Sequence, residues 1–229
     1  MQKTSAVRFI HLSPNTPTLD IYPFNYKNRD TTAYNVEFSP NSDEISTHED
    51  THHATYDTAK PITIGYGKIT EYINVPFGLI QPSIYVSGTV CHAIIQKMVS
   101  VIPSRHYTIA IINMLNEIST LLIPDYVKEL DLDLVDASKK PLSNSEYCLV
   151  RAIHLNPSAP PCEVYLNDQL FDKVAYKTIG KFIEVPSGKT QIRIGQGLCH
   201  SEFLLSNQAY SAFFTGCYEP ELLLFSHGF

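Results

Sequence analysis

An internal repeat constrains this chain more than any other feature of its sequence. Residues 7–22, VRFIHLSPNTPTLDIY, align without a gap with residues 150–165, VRAIHLNPSAPPCEVY. Eight of those sixteen positions are identical: Val7/Val150, Arg8/Arg151, Ile10/Ile153, His11/His154, Leu12/Leu155, Pro14/Pro157, Pro17/Pro160 and Tyr22/Tyr165. Asp20 and Glu163 preserve a charge. Later landmarks keep the same order: Tyr66 with Tyr176, YINVPFG from Tyr72 with FIEVPSG from Phe182, Cys91-His92 with Cys199-His200, Tyr107 with Tyr210, and the apolar run at Leu121 with that at Leu222. A unit duplicated in this way folds twice, and 229 residues are enough for two small domains.

The copies differ mainly in one place. Tyr22 and Tyr66 are 44 positions apart but Tyr165 and Tyr176 only 11, leaving 44 − 11 = 33 extra residues in the first copy. This insertion, at about residues 27–60, is polar and contains HEDTHH from His48, which reads as a surface loop or hairpin. The expected organisation is a first domain over 1–125 carrying the insertion, a linker over 126–145, and a second domain over 146–229. Leu130 to Val135, the apolar stretch of the linker, is the expected contact between the two domains.

Within each copy the hydrophobic period is two. Val7 and Phe9 alternate with Arg8 and Ile10, and Ile73 and Val75 with Tyr72 and Asn74, ahead of a Pro-x-Gly turn. Short β-branched and aromatic runs bounded by Pro, Gly, Asn and Ser recur along both copies, which predicts an all-β chain of two tandem immunoglobulin-like β-sandwich domains. The repeated V-R-x-I-H-L-x-P-x-x-P-x-x-[DE]-x-Y, followed by aromatic-I-x-V-P-x-G, resembles the bacterial domain of unknown function 4397, in two tandem copies. The resemblance implies an immunoglobulin-like or related β-sandwich, often found in exported or surface proteins, and it brings no reaction with it.

Pro14 and Pro17 fix φ and remove two backbone donors, so they force the chain out of a ladder at a tight crossing. Arg8, His11 and Asp20, with Arg151, His154 and Glu163 in the second copy, are the expected polar latch that pins this turn. His11, Ser13 and Asp20 are also the residue types of a Ser-His-Asp triad. Ser13 is Asn156 in the second copy, however, and no glycine-rich nucleophile elbow surrounds it, so no catalytic residue is assigned. His48, His52 and His53, near Glu49, Asp50 and Asp57, are the candidate metal ligands; no cofactor is otherwise implied. The Cys-His pairs read as core thiols, because strand neighbours point to opposite faces.

The balance of 17 basic and 23 acidic residues includes no cluster of Lys and Arg, which argues against nucleic acid as a partner. No signal-peptide pattern and no stretch of the ~20 apolar residues of a membrane span appears, and five cysteines form no C-x-x-C pair, so a reducing cytoplasm is the default expectation. A bacterial cell or spore surface is the alternative. The expected function is a non-catalytic structural or protein-interaction module, self-association included. The alternatives are a metal-binding protein or metal-dependent hydrolase using the insertion, and a carbohydrate-binding module displaying some of the 14 Tyr and 11 Phe.

Overall fold

Alternating apolar positions broken by Pro and Gly give short strands, and strands dominate the computed structural model, which describes residues 4–23, 60–89, 92–125, 135, 146–195 and 197–227. The first half supplies β1 (Thr4–His11), β2 (Leu19–Tyr22), β3 (Ile62–Ile64), β4 (Ile73–Pro76), β5 (Gly78–Ile80), β6 (Ser83–Val86), β7 (Ile95–Gln96), β8 (Val99–Val101), β9 (His106–Ile112) and β10 (Ser119–Asp125). The second supplies β11 (Tyr147–His154), β12 (Cys162–Leu166), β13 (Gln169–Val174), β14 (Ile183–Pro186), β15 (Gly188–Ile194), β16 (Leu198–Leu204), β17 (Ala209–Thr215) and β18 (Glu221–His227). The chain is all-β. Its helical content among the described residues is one 3-10 turn at Leu115–Glu117.

The halves share one strand order. Sheet β10-β9-β1-β4 of the first matches β18-β17-β11-β14 of the second. In each, the opening strand runs parallel to its central neighbour, β1 with β9 and β11 with β17, and the flanking pairs are antiparallel. The second layer is β13-β12-β15-β16 in the second half, and β3-β2-β6-β7 with a separate β5-β8 ribbon in the first. Register explains the split: Pro82 stands where β15 has Ile192, and a residue without an N–H interrupts the ladder. The same register pairs Ser83 with Gln96 as it pairs Arg193 with Cys199, so Gln96 is the structural counterpart of Cys199. The expected equivalence of Cys199-His200 with Cys91-His92 is therefore a coincidence of sequence order; Cys91 itself lies outside the described residues.

Each half has its own apolar core, one including Val7, Phe9, Ile21, Ile84 and Ile109, the other Val150, Val164, Ile192, Tyr210 and Phe214. A third cluster draws on both halves: Ile10, Leu12, Ala110, Ile112, Ile123, Ile153, Leu155 and Phe213. Side chains alternate along a strand, so β1 and β9 turn one face to their own core and the other to the second half. Among the described residues, the contact between the halves is thus made by the two matching sheets; of the stretch expected to make it, Leu130 to Leu134 lie outside the described residues. Of the linker, Val135 forms a single bridge with Phe182.

A tyrosine at the start of each central strand ties down the preceding turn. Tyr107 Oη accepts from the Ile102 amide at 3.3 Å, and Tyr210 Oη accepts from the Leu205 amide at 2.9 Å. Tyr210→Phe, which keeps the ring and deletes this acceptor, should cost about 1 kcal/mol in chemical denaturation; no loss would mean that water replaces the hydroxyl.

Candidate functional site

At one end of the contact between the sheets, the apolar packing gives way to charge. Arg8 on β1 and Arg151 on β11 occupy the same position of the repeat, and both are buried. Arg8 Nε donates to Thr108 Oγ1 at 2.9 Å, and Arg151 Nε to Ser211 Oγ at 2.7 Å. The repeat places aromatic rings alike as well. Arg8 Cζ lies 4.6 Å from the Tyr72 ring centroid and Arg151 Cζ 4.4 Å from that of Phe182, cation–π contacts between landmark residues.

The remaining guanidinium nitrogens cross between halves. Arg151 Nη2 pairs with Asp125 Oδ1 at 3.0 Å, and Arg151 Nη1 donates to the Pro124 carbonyl at 2.7 Å. Arg8 Nη2 reaches His227 Nδ1 at 3.0 Å, and Arg8 Nη1 the Ser226 carbonyl at 3.3 Å. Asp125 ends β10 and His227 ends β18, at matching register positions. The arrangement is therefore a pseudo-twofold exchange in which each arginine binds the last residue of the other half's edge strand. It is asymmetric in one respect: one terminal residue is a carboxylate, the other an imidazole.

Asp125 serves both arginines. Its Oδ2 accepts from Thr108 Oγ1 at 2.5 Å and from Tyr72 Oη at 2.8 Å, and lies 3.4 Å from Arg8 Nε. Burial alone would raise this carboxyl, but the neighbouring His227, Arg151 and Arg8 and the Thr108 hydroxyl hold it below the ordinary carboxylate value. Burial lowers the Arg151 guanidinium to about 10, so it is cationic at neutral pH. For His227, burial lowers the imidazole to about 3. A guanidinium carries only donors, so His227 Nδ1 accepts, and the proton of the neutral ring sits on Nε2 and goes to Ser211 Oγ at 2.7 Å. Burial also raises the Tyr72 phenol, which stays protonated as a donor.

The prolines set a second pair of matched polar contacts. Ser13 N–H donates to His11 Nδ1 at 3.3 Å, leaving Nε2–H for the Pro17 carbonyl at 3.1 Å. In the second half, Asn156 N–H donates to His154 Nδ1 at 3.3 Å and Nε2–H goes to the Pro160 carbonyl at 3.2 Å. Burial lowers both imidazoles and keeps them neutral. Each histidine thus holds the double-proline turn closed. Beside each of them a tyrosine crosses to the opposite half: Tyr66 Oη donates to Glu221 Oε2 at 3.1 Å, and Tyr176 Oη donates to Asn113 Oδ1.

The structure does not bring the six residues of the expected latch together. Asp20 accepts from Thr63 Oγ1 at 2.7 Å and from the Gly88 amide at 3.1 Å, and Glu163 accepts from Tyr165 Oη at 2.5 Å, all on the outer layers. Arg8 and Arg151 face the other half, and only His11 and His154 engage the turns. Ser13 Oγ bonds Thr16 Oγ1 at 2.6 Å and donates to the Asn113 carbonyl, so it is tied to the turn, while Asp20 is engaged with Thr63 and Gly88. His48, His52 and His53 lie outside the described residues. Among the described residues, no group of three His, Cys, Asp or Glu side chains is placed to hold a metal ion, and no helix is long and apolar enough to cross a membrane.

No protein-family model matches the chain, and no curated protein matches it. The reading of this cluster therefore rests on its geometry. Arg8, Asp125, Arg151 and His227 are each at most 6% exposed and sit between two packed sheets. Chemistry on a substrate requires access; these groups recognise each other.

Proposed function

We propose that this chain is a non-catalytic structural module, two tandem immunoglobulin-like β-sandwich units joined face to face, that assembles with further copies of itself. The observation that carries this reading is the sealed ionic cluster, which devotes two arginines, an aspartate and a histidine to holding one half on the other. The tyrosine ties of Tyr107 and Tyr210 resemble the tyrosine corner of immunoglobulin-like sandwiches and support that part of it. A fused pair makes a rigid block, suited to a layer at a bacterial cell or spore surface.

The surface for assembly lies on the first half. Phe77, Leu79, Met98 and Ile102 are 50–61% exposed and gather on and beside the outer face of the β5-β8 ribbon. Exposed apolar side chains grouped in this way mark contact surfaces. In the second half, the register puts Lys189 and Ser201 where the first has Leu79 and Met98. Leu79→Lys with Met98→Ser therefore copies residues that the same fold already carries. Sedimentation velocity over a concentration series should show reversible association of the wild type, weakened at least tenfold in the double variant, or about 1.4 kcal/mol, with an unchanged thermal midpoint. A wild type that stays monomeric throughout the series would defeat this reading.

A further inference from the structure

His227 is the one member of the buried cluster whose side chain ordinarily changes charge near neutral pH. Its surroundings have no room for that change. The groups around it are Arg8 on β1, Tyr72 ahead of β4, His106 and Thr108 on β9, Asp125 on β10, and Arg151 with Ser211 on β11 and β17. The Phe182 ring closes one side, edge to face at 5.7 Å. With the imidazole neutral, two guanidinium groups already outnumber the single carboxylate among the described residues. A proton on Nδ1 would add another cation and place a donor against the Arg8 donor 3.0 Å away. Asp125 Oδ1 lies 3.4 Å from Nδ1, but it holds Arg151, and its other oxygen holds Thr108 and Tyr72. A protonated His227 gains that carboxylate only by giving up Arg8.

Arg8 and His227 belong to different halves, so this exchange removes a bond between them. We propose that His227 is an acid-sensitive lock: neutral, it holds the two sheets together, and protonated, it lets them part while each half keeps its own fold. The packing favours that sequence of events. Among the described residues, fifteen buried apolar side chains form the core of each half, against eight in the cluster shared between them. Burial of the ring works in the same direction. Because the folded-state value lies below the ordinary 6.5, the lock is fully closed above that pH and weakens as pH falls toward about 3.

Acid titration of the full chain tests this, with the radius of gyration from X-ray scattering followed beside the far-ultraviolet β-signal. The wild type should expand at a midpoint between pH 6.5 and 3 with its β-signal intact, and the assigned His227 imidazole resonance should titrate with that expansion. In His227→Asn, which keeps an acceptor for Arg8 but cannot be protonated, the midpoint should move down by at least about one pH unit. Asp125, His106, His11 and His154 remain in that variant, so whatever transition persists belongs to them. An unchanged midpoint, loss of β-signal together with expansion, or titration of the His227 ring without expansion would each overturn the lock. If the asparagine variant does not fold, the coincidence of ring titration and expansion in the wild type decides.

Discussion

Asp125→Ala is expected to lower the unfolding free energy by about 3–5 kcal/mol, the usual cost of removing one partner from a buried ion pair. Among the described residues its carboxylate is the only one in the cluster, and it accepts from Arg151, Thr108 and Tyr72 while lying 3.4 Å from Arg8 Nε. Without it, two guanidinium groups remain buried with no counter-charge, and the Tyr72 hydroxyl loses its acceptor. The loss should be nearly independent of salt, because counter-ions do not reach groups between the sheets. His227→Asp should act in the opposite direction. It turns the asymmetric end of the pseudo-twofold arrangement into a copy of the other, giving Arg8 a carboxylate of its own. Urea denaturation at pH 7.5 measures both, as a lower midpoint for the first variant and a higher one for the second. An Asp125→Ala protein within 1 kcal/mol of wild type would mean that water enters the cluster and that its pairing matters little.

The duplication, the strand period and the double-proline turns were legible in the sequence because each is local. Prolines fix φ wherever they stand, and a shared motif at residues 7–22 and 150–165 needs no knowledge of packing. The grouping of Arg8 with His11 and Asp20 did not survive, for a reason that was also legible. Arg8 and His11 are three residues apart on one strand, so they point to opposite faces. His11 turns to its own half, and Arg8 to the other. The partners of Arg8 gave no local signal, since Asp125 and His227 follow it by 117 and 219 positions. The run Ile109-Ala110-Ile111-Ile112 does carry information, because a strand apolar at successive positions is buried on both faces and needs a second apolar surface beyond its own half's core. Such a run places a contact between halves on β9, as its counterpart does on β17. The Cys-His pairs share order along the chain but not register, since Gln96 is the counterpart of Cys199. The strand break at Pro82 and the different spacing that follows it appear only once the ladders are paired.

Phe213→Ala and Phe214→Ala, neighbours on β17, are expected to fail in different ways. Phe213 is fully buried in the cluster shared by the halves and lies edge to face with Phe225 at 5.9 Å. Phe214 points the other way, into the core of the second half, with its ring 4.8 Å from that of His154. Truncating a buried phenylalanine costs about 3–5 kcal/mol, through lost transfer energy and the cavity left behind. For Phe214 the cavity opens within one half, so that half should unfold first. Hydrogen exchange should accelerate across β12, β15 and β16, which line the same core, and leave the first half's inner strands β2 and β6 protected. For Phe213 the cavity opens between the halves, where it removes the largest side chain of an eight-residue cluster and touches neither lobe's own core. Unfolding should then lose cooperativity and split into separation of the sheets followed by melting of the halves, seen as two calorimetric transitions or a reduced denaturant slope. Both cavities sit one residue apart on the same strand, so composition, propensity and sequence position are matched between the two variants. A single transition of the same shape in both would show that the contact between halves and the core of the second half form one cooperative unit, and that the division of β17 between two faces has no energetic consequence.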